Sequence, residues 1–148
     1  MFIAKKDGLI VMQAKTESEL KEKLKYILYD SIEETKEEYT FYKGKYLTKT
    51  QLEKERRKEL DSLSLTAADV ERAIYKAQGI DFEDIIDLVK DNPNIDLKAL
   101  KIELKANNFY RGNPYINQIA QILGITQNQL DEFFKSNSWE ELKNDRNL

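Results

Sequence analysis

The sequence contains no cysteine and no histidine among its 148 residues. Without cysteine the chain has neither a disulfide framework nor a thiolate nucleophile. Without histidine it lacks the commonest general base and the commonest metal ligand. These two absences exclude most catalytic designs, so we expect no enzymatic activity and no cofactor.

Long apolar runs and blocks of positive charge are missing as well. No stretch approaches the roughly 18 apolar residues that span a bilayer, and residues 5–8 (KKDG) interrupt the apolar N-terminus. The formal net charge is −3, so the electrostatic attraction that drives non-specific nucleic-acid binding is absent. We therefore expect a soluble cytoplasmic protein, with a membrane surface or nucleic acid disfavoured as partners.

Residues 1–47 have the pattern of a small α+β module. Two β-prone runs, residues 2–5 and 9–14, are joined through Asp7-Gly8, a dipeptide typical of tight hairpin turns because glycine tolerates positive φ. The pattern predicts a β-hairpin at the start of the chain.

A helix and a second strand pair follow within the same module. Thr16 and Glu19 have the spacing of a capping box. The predicted helix carries one apolar stripe, formed by Leu20, Leu24, Ile27 and Leu28. Residues 39–42 and 45–47, on either side of Lys43-Gly44, predict a second strand pair that completes a small sheet.

Residues 48–63 predict a connecting helix that begins at Thr48 and Gln51. Its apolar positions are few, and most of its surface is charged, which is typical of a solvated helix. Self-association as a coiled coil is the alternative, although the apolar stripe lasts under three heptads. Both interpretations stay open.

From Ser64 onward the pattern is wholly helical, with capping and terminating residues at regular intervals. The predicted N-caps are Thr66, Asp81, Asp96, Asn113 and Thr126, and the terminators are Gly79, Pro93 and Gly124. Residues 64–148 are therefore predicted to form an all-α bundle of about five short helices, with fraying from Asn144. The predicted fold class of the whole chain is α+β.

The helical domain is predicted to end in a helix-turn-helix-like corner at residues 114–135. Ala120 is small where two helices would cross, and Gly124 lies four residues later, where the turn needs a permissive backbone. Such a corner serves either as packing or as a DNA-reading unit.

The DNA-reading alternative would use the second helix of this corner. Gln127, Asn128 and Gln129 would contact bases, and Arg111 would contact the phosphate backbone. However, the same helix carries two carboxylates and a single cation, Asp131, Glu132 and Lys135. This balance makes the electrostatics neutral to repulsive and favours a structural corner.

An acidic set around residue 84 raises the question of a metal site. Its members are Asp81, Glu83, Asp84 and Asp87. Hard cations need converging oxygen ligands, whereas these carboxylates spread around the first turns of one helix, where the macrodipole favours acids anyway. We expect no metal site.

The segment at residues 107–113 (NNFYRGN) is the most unusual stretch of the chain, and we expect it to be a loop. Phe109, Tyr110 and Arg111 have the composition of a protein-interaction hot spot. In the alternative interpretation, which we favour, Phe109 seals the core while Tyr110 and Arg111 bond to the ends of neighbouring helices.

Residues 62–89 (SLSLTAADVERAIYKAQGIDFEDIIDLV) and 95–134, with NNFYRGNPYIN as the most distinctive element, resemble the C-terminal helical domain of small proteins encoded near phage and prophage tail genes. MFIAKKDGLIVM and FYKGKYL resemble the N-terminal part of those proteins. The resemblance implies a structural or assembly role through contacts with other phage proteins, in the host cytoplasm or on the virion. It implies no catalytic residues.

Overall fold

The computed structural model describes residues 1–143, so the expectation of fraying from Asn144 concerns residues outside the described part. The chain has the predicted α+β composition and divides into two compact units, Met1–Arg57 and Lys58–Leu148. The boundary falls within the helix at Lys49–Asp61.

The first unit contains five strands and one helix, followed by the start of a second helix. In chain order these are β1 (Phe2–Lys6), β2 (Leu9–Ala14), α1 (Glu17–Lys23), β3 (Ser31–Glu34), β4 (Tyr39–Tyr42), β5 (Lys45–Thr48) and α2 (Lys49–Asp61).

The predicted hairpin is confirmed as β1 and β2, which pair antiparallel. Its turn places Asp7 at φ 53° and Gly8 at φ 78°, the backbone that tight hairpins with a right-handed twist require. Strand β1 is central because β3 pairs with its other edge, giving the order β2-β1-β3. Lys5 donates to the Glu33 carboxylate across this edge at 2.8 Å, and that hydrogen bond raises the pKa of Lys5.

Helix α1 is shorter than its predicted apolar stripe. The Thr16 hydroxyl accepts from the Glu19 N–H at 3.1 Å, as the capping signature indicates. Leu20 and Leu24 are buried against the sheet. The second half of the predicted stripe is wrong: the helix ends at Lys23, and Ile27 and Leu28 are exposed in the connection to β3, a strand that the sequence did not predict.

The second strand pair is confirmed as β4 and β5. The expectation that it completes the sheet of the hairpin is wrong, because β4 and β5 form a two-stranded sheet of their own and β3 completes the first sheet instead. Lys43 (φ 47°) and Gly44 (φ 82°) make its turn. Helix α2 begins as predicted, because Thr48 and Gln51 exchange side-chain and backbone hydrogen bonds at 3.0 and 3.2 Å.

The second unit is mainly helical. Its elements are β6 (Ser64–Thr66), α3 (Ala67–Gln78), α4 (Phe82–Val89), α5 (Leu97–Glu103), β7 (Asn108–Tyr110), α6 (Pro114–Leu123), α7 (Gln127–Ser136) and a 3-10 helix (Trp139–Leu142). The predicted caps are confirmed: Thr66, Asp81, Asp96, Asn113 and Thr126 each accept a backbone N–H. Gly79 and Gly124 end their helices in the left-handed conformation.

The prediction of a wholly helical second half is wrong at one place. Residues 108–110, expected to lie in a loop, form strand β7, which pairs antiparallel with β6. Leu65 lies opposite Phe109 in this ladder, and Phe109 enters the core. Two strands of three residues are too short to show a period of two in the sequence, so nothing local distinguished them from loop.

The helices α3 to α7 of the second unit pack around one hydrophobic core of aromatic and aliphatic side chains. Phe109 packs edge-on to Phe82 with ring centroids 5.9 Å apart, and Phe133 packs in the same way on Phe134 at 5.6 Å. Leu142 of the 3-10 helix is also buried there. No helix within residues 1–143 is long and apolar enough to cross a membrane.

Candidate functional site

The helix-turn-helix-like corner is built from α6, a short turn and α7. Gly124 adopts φ 71°, and the Ile125 N–H donates to the Ala120 carbonyl at 2.8 Å, which closes the end of α6. Thr126 and Gln129 then form a reciprocal capping box that starts α7. Ala120 is buried, as a close crossing of two helices requires.

The chain enters this corner through backbone hydrogen bonds that extend the β6–β7 ladder. The Arg111 N–H donates to the Leu63 carbonyl at 2.8 Å, and the Gly112 N–H donates to the Asp61 carbonyl at 3.1 Å. A Cβ atom on residue 112 would lie 2.9 Å from the Asp61 Cβ. Glycine is therefore required at 112 by close approach, a constraint that the sequence alone did not reveal.

Arg111 is the centre of a polar network inside the corner. Its side chain is only 1% exposed. Nε donates to Asp131 Oδ1 at 2.8 Å, Nη1 to Asn117 Oδ1 at 2.7 Å, and Nη2 to Gln127 Oε1 at 2.8 Å. Because Asn117 belongs to α6 and the other two partners to α7, the guanidinium ties the two helices together, and Asp131 balances its charge.

A groove of about 480 Å³ lies on the surface of the same corner, which we call the amide groove. It is lined by Pro114, Asn117, Gln118, Gln121, Ile125, Thr126 and Gln127. None of these side chains is charged, and four of them are primary amides. Two of the amides, Asn117 and Gln127, are also the partners of Arg111.

The three residues singled out at 109–111 do not form one exposed surface. Phe109 and Arg111 are each 1% exposed, whereas Tyr110 is 57% exposed. This alternation follows from the strand, which turns successive side chains to opposite faces. Phe109 seals the core and Arg111 bonds to α6 and α7, as the favoured interpretation expected; the side chain of Tyr110 shows no hydrogen bond to a helix end within the described residues.

The three amides of the DNA-reading alternative have different surroundings. Gln127 Oε1 accepts from Arg111, and Gln129 accepts from Thr126 N–H at 2.9 Å while donating to the Lys143 carbonyl at 2.7 Å. Asn128 is exposed. Two of the three side chains are therefore already engaged within the fold.

The carboxylates of α7 are also engaged. Asp131 pairs with Arg111, and Glu132 pairs with Lys135 at 3.2 Å. The prediction from the sequence treated both carboxylates as unpaired negative charges that would repel the DNA phosphates. The pairing weakens that repulsion and at the same time withdraws Arg111 from any phosphate contact.

Two of the four acidic residues at the start of α4 cap that same helix. Asp81 and Asp84 form a reciprocal capping box, with N···O distances of 2.9 and 3.0 Å. Across residues 1–143, no group of three or more acidic side chains is placed so that it could hold a metal ion.

No protein-family model, curated protein or solved structure matches this chain.

Residues 26–29 form the longest run of exposed large apolar side chains in the first unit, which we call the apolar segment, and the sequence pattern did not predict it. It comprises Tyr26, Ile27, Leu28 and Tyr29, which are 91%, 38%, 76% and 42% exposed. Two of these residues, Ile27 and Leu28, continue the apolar stripe of the predicted helix. They were therefore predicted to be buried, and their exposure was not foreseen.

Proposed function

We propose that the chain is a non-catalytic assembly protein of a phage or prophage tail region, which acts through protein–protein contacts made by its apolar segment. The observation that carries the proposal is the exposure of four consecutive large apolar side chains at residues 26–29. Contiguous exposed apolar surface of this kind is typical of interaction sites. The resemblance to proteins encoded near tail genes supplies the class of partner.

The apolar segment is held in place by the fold. The Ile27 N–H donates to the Leu24 carbonyl at 2.9 Å, and the Asp30 N–H donates to the Lys5 carbonyl at 2.7 Å. The Asp30 carboxylate also accepts from the Asp7 N–H at 2.7 Å. Both ends of the segment are therefore anchored, which reduces the conformational entropy that binding must remove.

The chemistry of the apolar segment favours a protein as its partner. Its two tyrosines combine apolar area with hydroxyl groups and belong to a residue type enriched in interface hot spots, and leucine and isoleucine add apolar area. The flanking residues, Lys25 and Asp30, carry opposite charges. A membrane surface or nucleic acid would instead favour clustered cations.

The experiment measures binding of the purified chain to each purified protein encoded beside its gene, by isothermal titration calorimetry. Leu28→Ser is the test variant, and Leu88→Ser, which alters an exposed leucine (63%) of α4 in the other unit, is the matched control. We expect Leu28→Ser to weaken binding by about tenfold or more and Leu88→Ser to bind as the parent does.

Two results would contradict the proposal. One is the absence of binding to every tail-region protein tested. The other is equal binding by the parent and Leu28→Ser, which would place the contact elsewhere. Sedimentation of the chain alone measures self-association, the outcome expected if residues 48–63 pair as a coiled coil or if a second copy covers the apolar segment.

A further inference from the structure

Strand β3 forms one edge of the first sheet, and one side of its backbone has no partner strand. The order β2-β1-β3 places β1 on one side of β3, and within the described residues no strand pairs with the other side. The Thr35 N–H donates to the Met1 carbonyl at 2.8 Å, which fixes the phase of this ladder. Because backbone groups along an antiparallel strand point alternately to its two sides, those of Ile32 and Glu34 point away from β1.

Strand β2, at the opposite edge of the same sheet, has the second strand pair against it. The Gln13 Nε2 atom donates to the Tyr39 carbonyl of β4, and the Tyr46 hydroxyl of β5 donates to Met12 Sδ at 3.7 Å. Strand β3, by contrast, forms hydrogen bonds and ion pairs with β1 alone within residues 1–143. Unpaired backbone groups on an edge strand are a template for a further strand, so β3 is the open edge of this sheet.

The apolar segment lies directly before this open edge. Asp30 alone separates Tyr29 from β3, and the Asp30 N–H donates to the Lys5 carbonyl at 2.7 Å, so the contact with β1 continues to residue 30. A strand rises about 3.3 Å per residue, so a partner strand of about eight residues would cover β3 and continue about 13 Å beyond it. One partner strand is therefore long enough to pair with β3 and to contact the apolar segment.

The charge of the edge selects the kind of strand that fits it. Residues 30–38 contain five carboxylates and a single cation. Of these carboxylates, Glu34, Glu37 and Glu38 are exposed and form no ion pair within the described residues. A second copy of β3 would bring glutamates of both copies together, and like charges on paired strands are destabilising. A strand that carries lysine or arginine would instead receive favourable contacts.

We propose that β3 accepts an extended strand of the partner protein that carries lysine or arginine side chains. The main chain of this strand pairs with the outward backbone groups of Ile32 and Glu34, and its apolar side chains contact the apolar segment. In such strand addition, main-chain hydrogen bonds supply affinity and side chains supply specificity. The inference rests on the proposed protein-binding role of the apolar segment and adds the conformation and charge of the bound partner.

The experiment uses a blocked octapeptide of alternating lysine and valine as the probe for the full ¹⁵N-labelled chain. Amide hydrogen exchange is followed by NMR. At a peptide concentration about ten times its Kd, we expect the amide hydrogens of Ile32 and Glu34 to exchange about tenfold more slowly. Those of Glu33 and Thr35, which face β1, should change less. The same peptide with glutamate in place of lysine, or with every backbone nitrogen methylated, is expected to leave the exchange rates unchanged.

Two variants of residue 34 separate main-chain pairing from charge. Glu34→Pro removes the outward N–H, and proline is tolerated on an edge strand where that N–H faces solvent. Glu34→Gln removes the same carboxylate but keeps the N–H, so it is the matched control. We expect peptide binding to weaken about tenfold in Glu34→Pro and about threefold in Glu34→Gln. Thermal unfolding shows whether each variant keeps the fold, and the exchange pattern of the parent chain decides the question if Glu34→Pro unfolds.

Three results with the peptide would overturn strand addition. These are unchanged exchange at Ile32 and Glu34 up to the solubility limit of the peptide, equal binding of the N-methylated peptide, and equal affinities of Glu34→Pro and Glu34→Gln.

Calorimetry with a tail-region protein separates this inference from the proposed function. Binding that is weakened in Leu28→Ser but unchanged in Glu34→Pro would overturn strand addition and keep the apolar segment as the contact. No binding to any tail-region protein, together with slowed exchange at Ile32 and Glu34 on addition of the peptide, would contradict the proposed function and support strand addition.

Discussion

Arg111 and Asp131 form an ion pair inside the helix-turn-helix-like corner, with Nε donating to Oδ1 at 2.8 Å. The arginine side chain is 1% exposed and the aspartate side chain 18% exposed. Since Arg111 also bonds to Asn117 and Gln127, its removal would take one hydrogen-bond donor from a largely buried carboxylate and one from each of two amide oxygens. Arg111, which lies outside both helices, therefore joins α6 to α7.

Substitution of Arg111 is expected to destabilise the second unit strongly. Arg111→Met should lower the free energy of unfolding by about 3 kcal/mol, because it removes the cation that pairs with the largely buried Asp131 carboxylate. In a unit of this size the loss corresponds to a fall in Tm of about 10 °C or more. Thermal unfolding followed by circular dichroism measures it.

Asp131→Asn is the partner variant for this prediction. It retains Oδ1 as an acceptor but removes the negative charge that balances the buried Arg111 guanidinium, so we expect a loss of about 3 kcal/mol here as well. If Arg111→Met and Asp131→Asn unfolded at the parent's temperature, the network would contribute nothing to stability.

Gly112 and Gly79 are glycines for different physical reasons, and two substitutions separate them. At 112 an added Cβ meets Asp61, so Gly112→Ala should cost about 1–3 kcal/mol and the larger Gly112→Asn more. At 79 the space is open but φ is 75°, so Gly79→Ala costs about 1 kcal/mol and Gly79→Asn less, since asparagine tolerates this conformation.

Chemical denaturation of the four variants tests the order. The expected ranking of alanine and asparagine is opposite at the two sites. The same ranking at both would mean that backbone conformation, rather than contact with Asp61, explains the glycine at 112.

Neighbouring residues of strand β7 are expected to respond in opposite ways. Phe109→Ala removes a core ring that packs on Phe82 and should cost about 3–5 kcal/mol. Tyr110→Ala alters an exposed side chain and should change stability by less than about 0.5 kcal/mol. Urea unfolding distinguishes them, and a large loss for Tyr110→Ala would contradict the alternation of the strand.

Local signals in the sequence were sufficient for the starts of the helices. Thr16, Thr66, Asp81, Asn113 and Thr126 cap helices as predicted, because a capping hydrogen bond joins residues two or three positions apart. The hairpin turns at Asp7-Gly8 and Lys43-Gly44 followed from the same kind of short-range chemistry.

Features that depend on distant residues were not predictable in this way. Strand β7 exists because residues 64–66, more than 40 positions earlier, pair with it. The burial of Arg111 depends on Asp131, and the glycine at 112 depends on Asp61. At residues 26–29 the apolar residues continue the helical spacing of α1, but the helix itself ends at Lys23, with Leu24 as its C-cap.

Duplex DNA is expected to leave the chain unbound in a fluorescence titration at low salt, up to tens of micromolar, where non-specific contacts are strongest. The net charge is −3, Arg111 is enclosed by its partners, and of the three candidate base-reading amides Asn128 alone is unengaged within the described residues. The double variant Asn128→Lys, Glu132→Lys serves as a positive control, since added cations on α7 should produce weak, salt-sensitive binding. Binding by the parent chain that is lost in Asn128→Ala would reverse this conclusion and assign the corner to DNA, because that substitution removes a base-reading amide without touching the Arg111 network.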